Sequence, residues 1–194
     1  MDKYKVRDWI REKVGEEYLI PLLGVWDRFD EIDFDKLPDR FVLKTNHGAG
    51  WNYIVQDKSK LDKADAKAKF DLWTKLNFTY YQGGLELQYE HIQPKIIAEQ
   101  FIENDGGDLY DYKLCCFDGE PKVIIYIMNR YVDADERIIC FDTDWNVLPF
   151  NLFTPLEQPD DIPRPKNLEK MVEVARTLSQ GIPFVRVDLY ALND

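Results

Sequence analysis

A few short stretches hold the residues whose types and spacing can do chemistry. In FVLKTNHGAGWNYIVQDK, residues 41–58, Lys44 ends an apolar strand and six residues, Thr45 to Gly50, precede the next one. A hairpin can turn in two residues, so this loop is longer than its turn requires. A lysine beside Gly48 and Gly50 can pair with phosphate while bare loop N–H groups cap it. A surface lysine next to a long turn fits the same text. In FVRVDLY, Arg186 and Asp188 share one face of a strand, with Val185, Val187 and Leu189 on the other. So apolar a strand is expected to be buried, where charges need partners or a ligand. Asp188 can hold Mg²⁺ and Arg186 can steady a developing oxyanion; a structural Arg–Asp pair is the equal alternative. In DYK, Asp111 and Lys113 also share a face, which is equally the pattern of a weak cross-face salt bridge.

Two further stretches are weaker. In IIAEQFIEN, Glu99 and Gln100 interrupt an apolar run that continues into Phe101 and Ile102. An edge strand of this kind, with exposed backbone and an acceptor, can read an adenine ring, and an ordinary edge strand with one solvated face looks the same. Asp142-Thr143-Asp144 has the spacing of a sugar-transferase metal motif, but it lies in a turn, where Asp is ordinary turn chemistry.

The elements that must position these residues are read from periodicity. Val6, Ile10 and Val14 predict a helix over 2–14, stopped by Gly15. An extended piece broken by Pro21 and an acidic connector lead to the hairpin. Phe70, Trp73 and Leu76, spaced three apart, predict a helix through all three. The stretch around Gly83-Gly84 has no sustained period and reads as a loop and lobe boundary. From Lys95 onward, alternating strands separated by GG, DGEP and DTDWN turns predict an antiparallel meander that includes IIAEQFIEN. A proline-rich linker follows, then a helix capped by Asn167 and stopped by Gly181, then the final strand.

Bulk composition bounds the rest. The chain has 194 residues, 45% of them hydrophobic, and a net charge of −11. That acidity excludes a nucleic-acid backbone as partner, for want of a basic stripe, but not a phosphate held by a few local cations. No apolar run approaches membrane-spanning length, and no signal segment opens the chain. Cys115, Cys116 and Cys140 sit in apolar strand text and suit neither a zinc site nor a disulfide framework, which points to reduced core residues and a cytoplasmic setting.

The order of these features resembles the ATP-grasp superfamily. The matching residues are Asp2-Lys3 at the head of a helix, Gly15 and Pro21, VLK at Val42 to Lys44 with the HGAG loop, AEQFI at Ala98 to Ile102, and RVD at Arg186 to Asp188. More closely, the text from Asp2 to Gly50, DYKLCCFDGEPKV and KNLEKMVEVARTLSQGIPFVRVDLY look like its TupA-like branch, the ATP-grasp proteins of teichuronopeptide biosynthesis. The resemblance implies an α+β, ATP-grasp-like fold with a small N-terminal lobe (1–85), a larger lobe on an antiparallel sheet (86–194) and the nucleotide cleft between them. It implies ATP and Mg²⁺ as cofactors. Lys3 and Lys44 would contact the phosphates, with His47, Gly48, Ala49 and Gly50 folded over them. Glu99 would accept from the adenine amino group, and the backbone of Gln100, Phe101 and Ile102 would pair with the ring edge. Asp111 would lie near the ribose and Lys113 near the phosphates or substrate. Arg186 would face the reacting phosphoryl or acyl group, and Asp188 would bind the metal.

The chemistry so implied is phosphorylation of a small-molecule carboxylate, then attack by an amine or by a sugar-polymer acceptor, in cell-surface polymer synthesis. The pattern usually adds a segment before Asp-Lys and a later strand bearing a Glu; this text starts at the first and stops at ALND. The resemblance therefore implies an ATP-grasp domain trimmed at both ends, with one metal carboxylate. Three functions stand open: a carboxylate–amine ligase, a glycosyltransferase of a polysaccharide cluster, and a non-catalytic nucleotide-binding module.

Overall fold

A computed structural model describes residues 1–81, 85–103, 109–128, 137–151 and 162–192. The chain divides into two units, Met1–Ile102 and Glu103–Asp194, and each contains a four-stranded antiparallel sheet. The α+β expectation holds.

In the first unit, α1 (Val6–Val14) ends at Gly15, whose N–H donates to Arg11 O. Asp2 closes the turn that leads into it, its carboxylate accepting from the N–H groups of Tyr4 and Lys5 at 2.9 and 3.1 Å. The sheet combines β1 (Leu22–Trp26), β2 (Phe41–Thr45), β3 (Asn52–Val55) and β4 (Ile96–Gln100) in the order β1-β4-β2-β3. On one face Phe41, Leu43, Val55, Ile96 and Ala98 pack against Phe29, Ile32, Phe34 and Leu37 of the acidic connector and Ala66 and Phe70 of α2 (Lys63–Trp73). Asp62 starts α2 by accepting from the N–H groups of Ala64 and Asp65. The helix stops before Leu76, which instead joins Trp73 and Ile92 around a second cluster of Trp51, Phe78 and Tyr89. Phe78 lies on a one-turn helix, α3 (Phe78–Tyr81), in text expected to be a loop; Gly83-Gly84 falls outside the described residues.

The placement of β4 corrects two expectations. It is neither an edge strand nor part of the meander: it is hydrogen-bonded between β1 and β2, and Ile96 to Glu99 are buried. Ile96, Ile97 and Ala98, apolar in succession rather than in alternation, suit a strand covered on both faces better than an edge. With β4 in the first sheet, the contact boundary falls at Ile102/Glu103, not at 85/86.

The second unit is the expected meander plus the last strand. β5 (Asp111–Phe117) and β6 (Glu120–Met128) are joined by Asp118-Gly119, both at positive φ (50° and 84°), the two-residue turn that matches strand twist. β7 (Arg137–Phe141) and β8 (Phe184–Tyr190) complete the order β7-β6-β5-β8. Leu168, Met171, Val174, Ala175 and Leu178 form the buried stripe of α4 (Leu168–Ser179), which packs on β5, β6 and β8. Asn167 stands at the N-cap position, yet its side chain caps nothing, because its backbone (φ −100°, ψ 17°) is not the extended form that aims a cap inward. β8 is also not the buried strand expected: Phe184, Arg186, Asp188 and Tyr190 are exposed, and only Val187 is buried. The three cysteines are free, with Cys116 and Cys140 buried and Cys115 partly so. Among the described residues no helix is long and apolar enough to cross a membrane.

Candidate functional site

Cross-strand partners share a face, so Val42, Lys44, Ile97 and Glu99 line the side of the first sheet opposite its aromatic core. There Lys44 Nζ lies 2.5 Å from Glu99 Oε2, and the buried guanidinium of Arg7 lies 3.1 Å from Oε1. Arg7 also donates to Ile20 O at 2.6 Å. Both carboxylate oxygens are thus taken by cations. As placed, the Glu99 side chain anchors Lys44, and the role of adenine acceptor would require it to leave both partners.

Lys3 approaches the same region from the head of α1. Its ammonium donates to Thr45 O at 3.3 Å and to Gly48 O, and its N–H donates to Asn46 O. Asn46 is tied in turn to Asp2 Oδ1 at 3.0 Å and accepts from Lys95 N–H at 2.7 Å. Asp2-Lys3 therefore fixes the strand-to-loop junction. Burial, and then the charge of Lys44, push the Lys3 pKa down to about 8, against the opposing pull of Glu99 and Asp2. A lysine so depressed marks a place where positive charge is not fully answered.

The loop is only partly the open cradle expected. Thr45 to Gly48 are buried, and Ala49 and Gly50 are exposed. The His47 ring turns inward: Nε2 lies 3.2 Å from Trp73 O and 3.3 Å from Leu76 O at the end of α2. Both partners are acceptors, so Nε2 carries the proton, and burial lowers the ring's pKa and keeps it neutral. Gly48 is present for a close approach. A Cβ there would lie 2.7 Å from a Trp51 ring carbon and 2.8 Å from one of Phe78. Gly50, at φ +73°, has open space around it and supplies the left-handed turn. The N–H groups of His47, Gly48, Ala49 and Gly50 donate to no acceptor among the described residues. The His47 side chain is structural; the backbone of the loop is what remains for a ligand.

Arg7 is the site residue that sequence reasoning missed. It occupies the apolar stripe of α1 with Ile10 and Val14, at i, i+3 and i+7, and a cation on that stripe was the available signal. Further along β4, Gln100 N–H donates to Pro21 O, and the Arg40 guanidinium sits 4.2 Å from the centre of the Phe101 ring.

The second unit assembles the other predicted residues on one face of its sheet. Lys113 stands opposite Asp188, and Cys115 opposite Arg186. Lys113 Nζ lies 2.5 Å from Asp111 and 3.3 Å from Asp188. Arg186 holds Asp188 in a two-bond fork at 2.6 and 2.8 Å, and that fork raises the Arg186 pKa. Asp111 and Lys113 are buried, so theirs is not the weak surface bridge that DYK alone suggested. Beyond Cys115 the face becomes apolar, with Val123, Ile125, Ile127, Ile138, Cys140 and Leu148 in contact. The donor set does not fit a divalent cation as it stands. Both Asp188 oxygens are bonded to cations, and among the described residues no three His, Cys, Asp or Glu side chains converge. Asp142 is closed as well, accepting from Asp144 N–H, Asn146 N–H and Asn146 Nδ2 at 2.8 to 2.9 Å.

A family profile described as "TupA-like ATPgrasp" matches residues 1–194. The chain belongs to the TupA-like ATP-grasp family. Among solved structures, this ATP-grasp chain is similar to the D-alanine–D-alanine ligase of Bacillus anthracis, crystallised with ATP, at 17% identity and a TM-score of 0.48 over 96% of its own length and 49% of the ligase. It is also similar to the ATP-grasp ligase PsnB, solved with a minimal precursor, Mg and ADP, at 12% identity and a TM-score of 0.42 over 98% of its length and 46% of PsnB. It thus spans about half the length of the solved ligases it matches. No curated protein sequence matches it.

Proposed function

We propose that this TupA-like chain is the ATP-binding part of a carboxylate–amine ligase of the teichuronopeptide type. One observation carries the reading. Three cations, Lys3, Arg7 and Lys44, gather around the carboxylate of Glu99, with Asp2 the other carboxylate acting on Lys3, and beside them four consecutive loop amides have no acceptor among the described residues. That is a site short of negative charge and rich in donors, which a polyphosphate would satisfy. Lys44 and Lys3 would neutralise phosphate oxygens while the amides of His47 to Gly50 donate to them. The backbone of Phe101 and Ile102 would meet the adenine edge, while the Gln100 N–H is already taken by Pro21 O.

In the reaction proposed, a carboxylate oxygen of the acceptor attacks the γ-phosphorus of ATP. The bond to the bridging oxygen breaks, and ADP leaves with that electron pair. An amine then adds to the acyl carbon, phosphate departs, and the amine proton is released. Arg186 is the cation proposed to face the transferring group, for which it would have to loosen its fork to Asp188. Lys113, held between Asp111 and Asp188, is proposed as the second cation near the reacting groups. Catalysis of this kind rests on position and charge more than on covalent chemistry.

The glycosyltransferase reading has no support in the geometry, since the Asp142 carboxylate is consumed by its own turn. A thermal melt with and without ATP tests the proposal. At about a hundred times its dissociation constant ATP adds roughly 2.7 kcal/mol of stability. Lys44→Ala is expected to abolish that gain and Asp142→Ala to leave it intact; the opposite pattern would overturn the assignment. ADP release with candidate carboxylates and amines then separates a ligase from a module that only binds nucleotide.

A further inference from the structure

Of the three cations beside the loop, Arg7 is the one held away from any ligand. Its side chain is 8% exposed, against 23% for Lys44. Both ends of its fork are engaged, one nitrogen on Glu99 Oε1 at 3.1 Å and the other donating to Ile20 O at 2.6 Å. Those two bonds tie α1 to the segment before β1 and to β4 inside the first sheet. An arginine keeps its proton under all ordinary conditions, so Arg7 and Glu99 form a fixed neutral pair. Lys44 is placed differently. Its ammonium reaches the second oxygen, Glu99 Oε2, from the neighbouring strand β2, with its side chain partly in the open. Glu99 carries one negative charge and faces two cations, so it cannot neutralise both.

We infer that Arg7 is a positioning residue that frees Lys44 for phosphate, by remaining on Glu99 as a fixed counter-charge when Lys44 moves to the ligand. This role rests on the nucleotide reading above and supplies a step that reading needs. As placed, Lys44 must let go of Glu99 before it can serve a phosphate oxygen. The carboxylate it leaves is 9% exposed, and a buried ion left without a partner is costly. With Arg7 on Oε1 the carboxylate keeps a cation throughout, and Lys44 exchanges one anionic partner for another. Without Arg7, Lys44 would have to orphan a buried charge at each binding event or stay where it is. Lys3 cannot take over, because its ammonium is committed to the carbonyls of Thr45 and Gly48. What Arg7 contributes to binding therefore passes through Glu99, which distinguishes it from a cation that attracts the ligand directly.

Titration calorimetry with inorganic tripolyphosphate, and with ATP alongside, tests this. Tripolyphosphate has no adenine, so Glu99 enters only through its hold on Lys44. Arg7→Met removes the counter-charge from a side chain of similar reach and is expected to weaken tripolyphosphate binding about tenfold or more. Glu99→Gln removes the competitor for Lys44 and should bind at least as tightly as the wild-type chain. When Arg7→Met is added to Glu99→Gln, its cost should shrink to about threefold or less, because a residue acting through Glu99 has nothing to act on once that carboxylate is gone. The same loss in both backgrounds overturns the proposal, since Arg7 would then attract the anion directly. So does unchanged affinity in Arg7→Met with only a lower melting temperature, the mark of a purely structural arginine. Arg7→Lys keeps the charge and should retain most of the affinity, so it serves if Arg7→Met does not fold alone; a loss there as large as that expected of Arg7→Met overturns the proposal too. Wild-type binding of ATP without tripolyphosphate also overturns it, because Lys44 would not be serving phosphate. Wild-type binding of neither overturns the nucleotide reading itself.

Discussion

Lys3 shows most directly how one residue joins fold and proposed function. It holds the loop through the carbonyls of Thr45 and Gly48, and that task leaves its ammonium in a place where burial and Lys44 lower its pKa to about 8. In the unfolded chain the ordinary value is 10.5. Between these limits the unfolded state binds a proton that the folded state does not, so this lysine penalises the folded state below about 8, and the penalty is relieved as pH rises toward 10.5. Ligand binding runs the other way. Phosphate beside Lys3 favours the charged form, so at a pH near 9 nucleotide binding should take up a proton, and affinity should fall as pH climbs past 8. Calorimetry in buffers of different ionisation heat measures the uptake. Lys3→Arg, which stays charged, should remove both the uptake and the fall; a pH dependence unchanged in that variant would show that another group is titrating.

Among the elements, the hairpin loop carries the clearest packing prediction. Gly48→Ala would drive a methyl against Trp51 and Phe78, rings already locked in a cluster with Tyr89. Overpacking of this kind costs about 1–3 kcal/mol, so a lowered unfolding midpoint for the first unit is expected. A midpoint unchanged by the methyl would mean that the cluster gives way more easily than its contacts indicate. The same element shows what was legible in the sequence. The hairpin, α2, α4 and the Asp118-Gly119 turn are local, and their patterns named them. The place of β4 was not legible: its pairing with β1 spans seventy residues or more, and alternation cannot say which sheet a strand joins. Leu76 continued the spacing of α2 but lies beyond its end, because spacing does not mark where a helix stops. Lys3, Lys44, Glu99 and the loop were grouped by the resemblance, and their contacts lie together in the first unit, whereas Arg7 was hidden inside an apolar stripe. The contacts of His47 were also invisible, since a histidine in a glycine loop looks ligand-facing until the carbonyls at the end of α2 are seen to hold it.

At the scale of the whole molecule, a local cationic site belongs to a chain of net charge −11, and the two should compete over distance. At about 0.01 M salt the screening length is roughly 30 Å, comparable to a domain, and falls to roughly 8 Å at 0.15 M. A nucleotide carrying several negative charges therefore meets the repulsion of the entire chain at low salt. Near physiological salt it meets chiefly the nearby charges of Lys3, Arg7 and Lys44. Association is steered by the long-range field, so the on-rate for ATP should rise as salt increases from the lower to the higher value. This is the reverse of a protein whose overall charge attracts its anion. The off-rate depends on short, partly buried contacts that salt screens less and should change little. Stopped-flow mixing with a fluorescent ATP analogue separates the two rates. An on-rate that falls steadily with salt would mean that the cations govern the approach from afar. The acidic exterior would then have no part in gating the ligand.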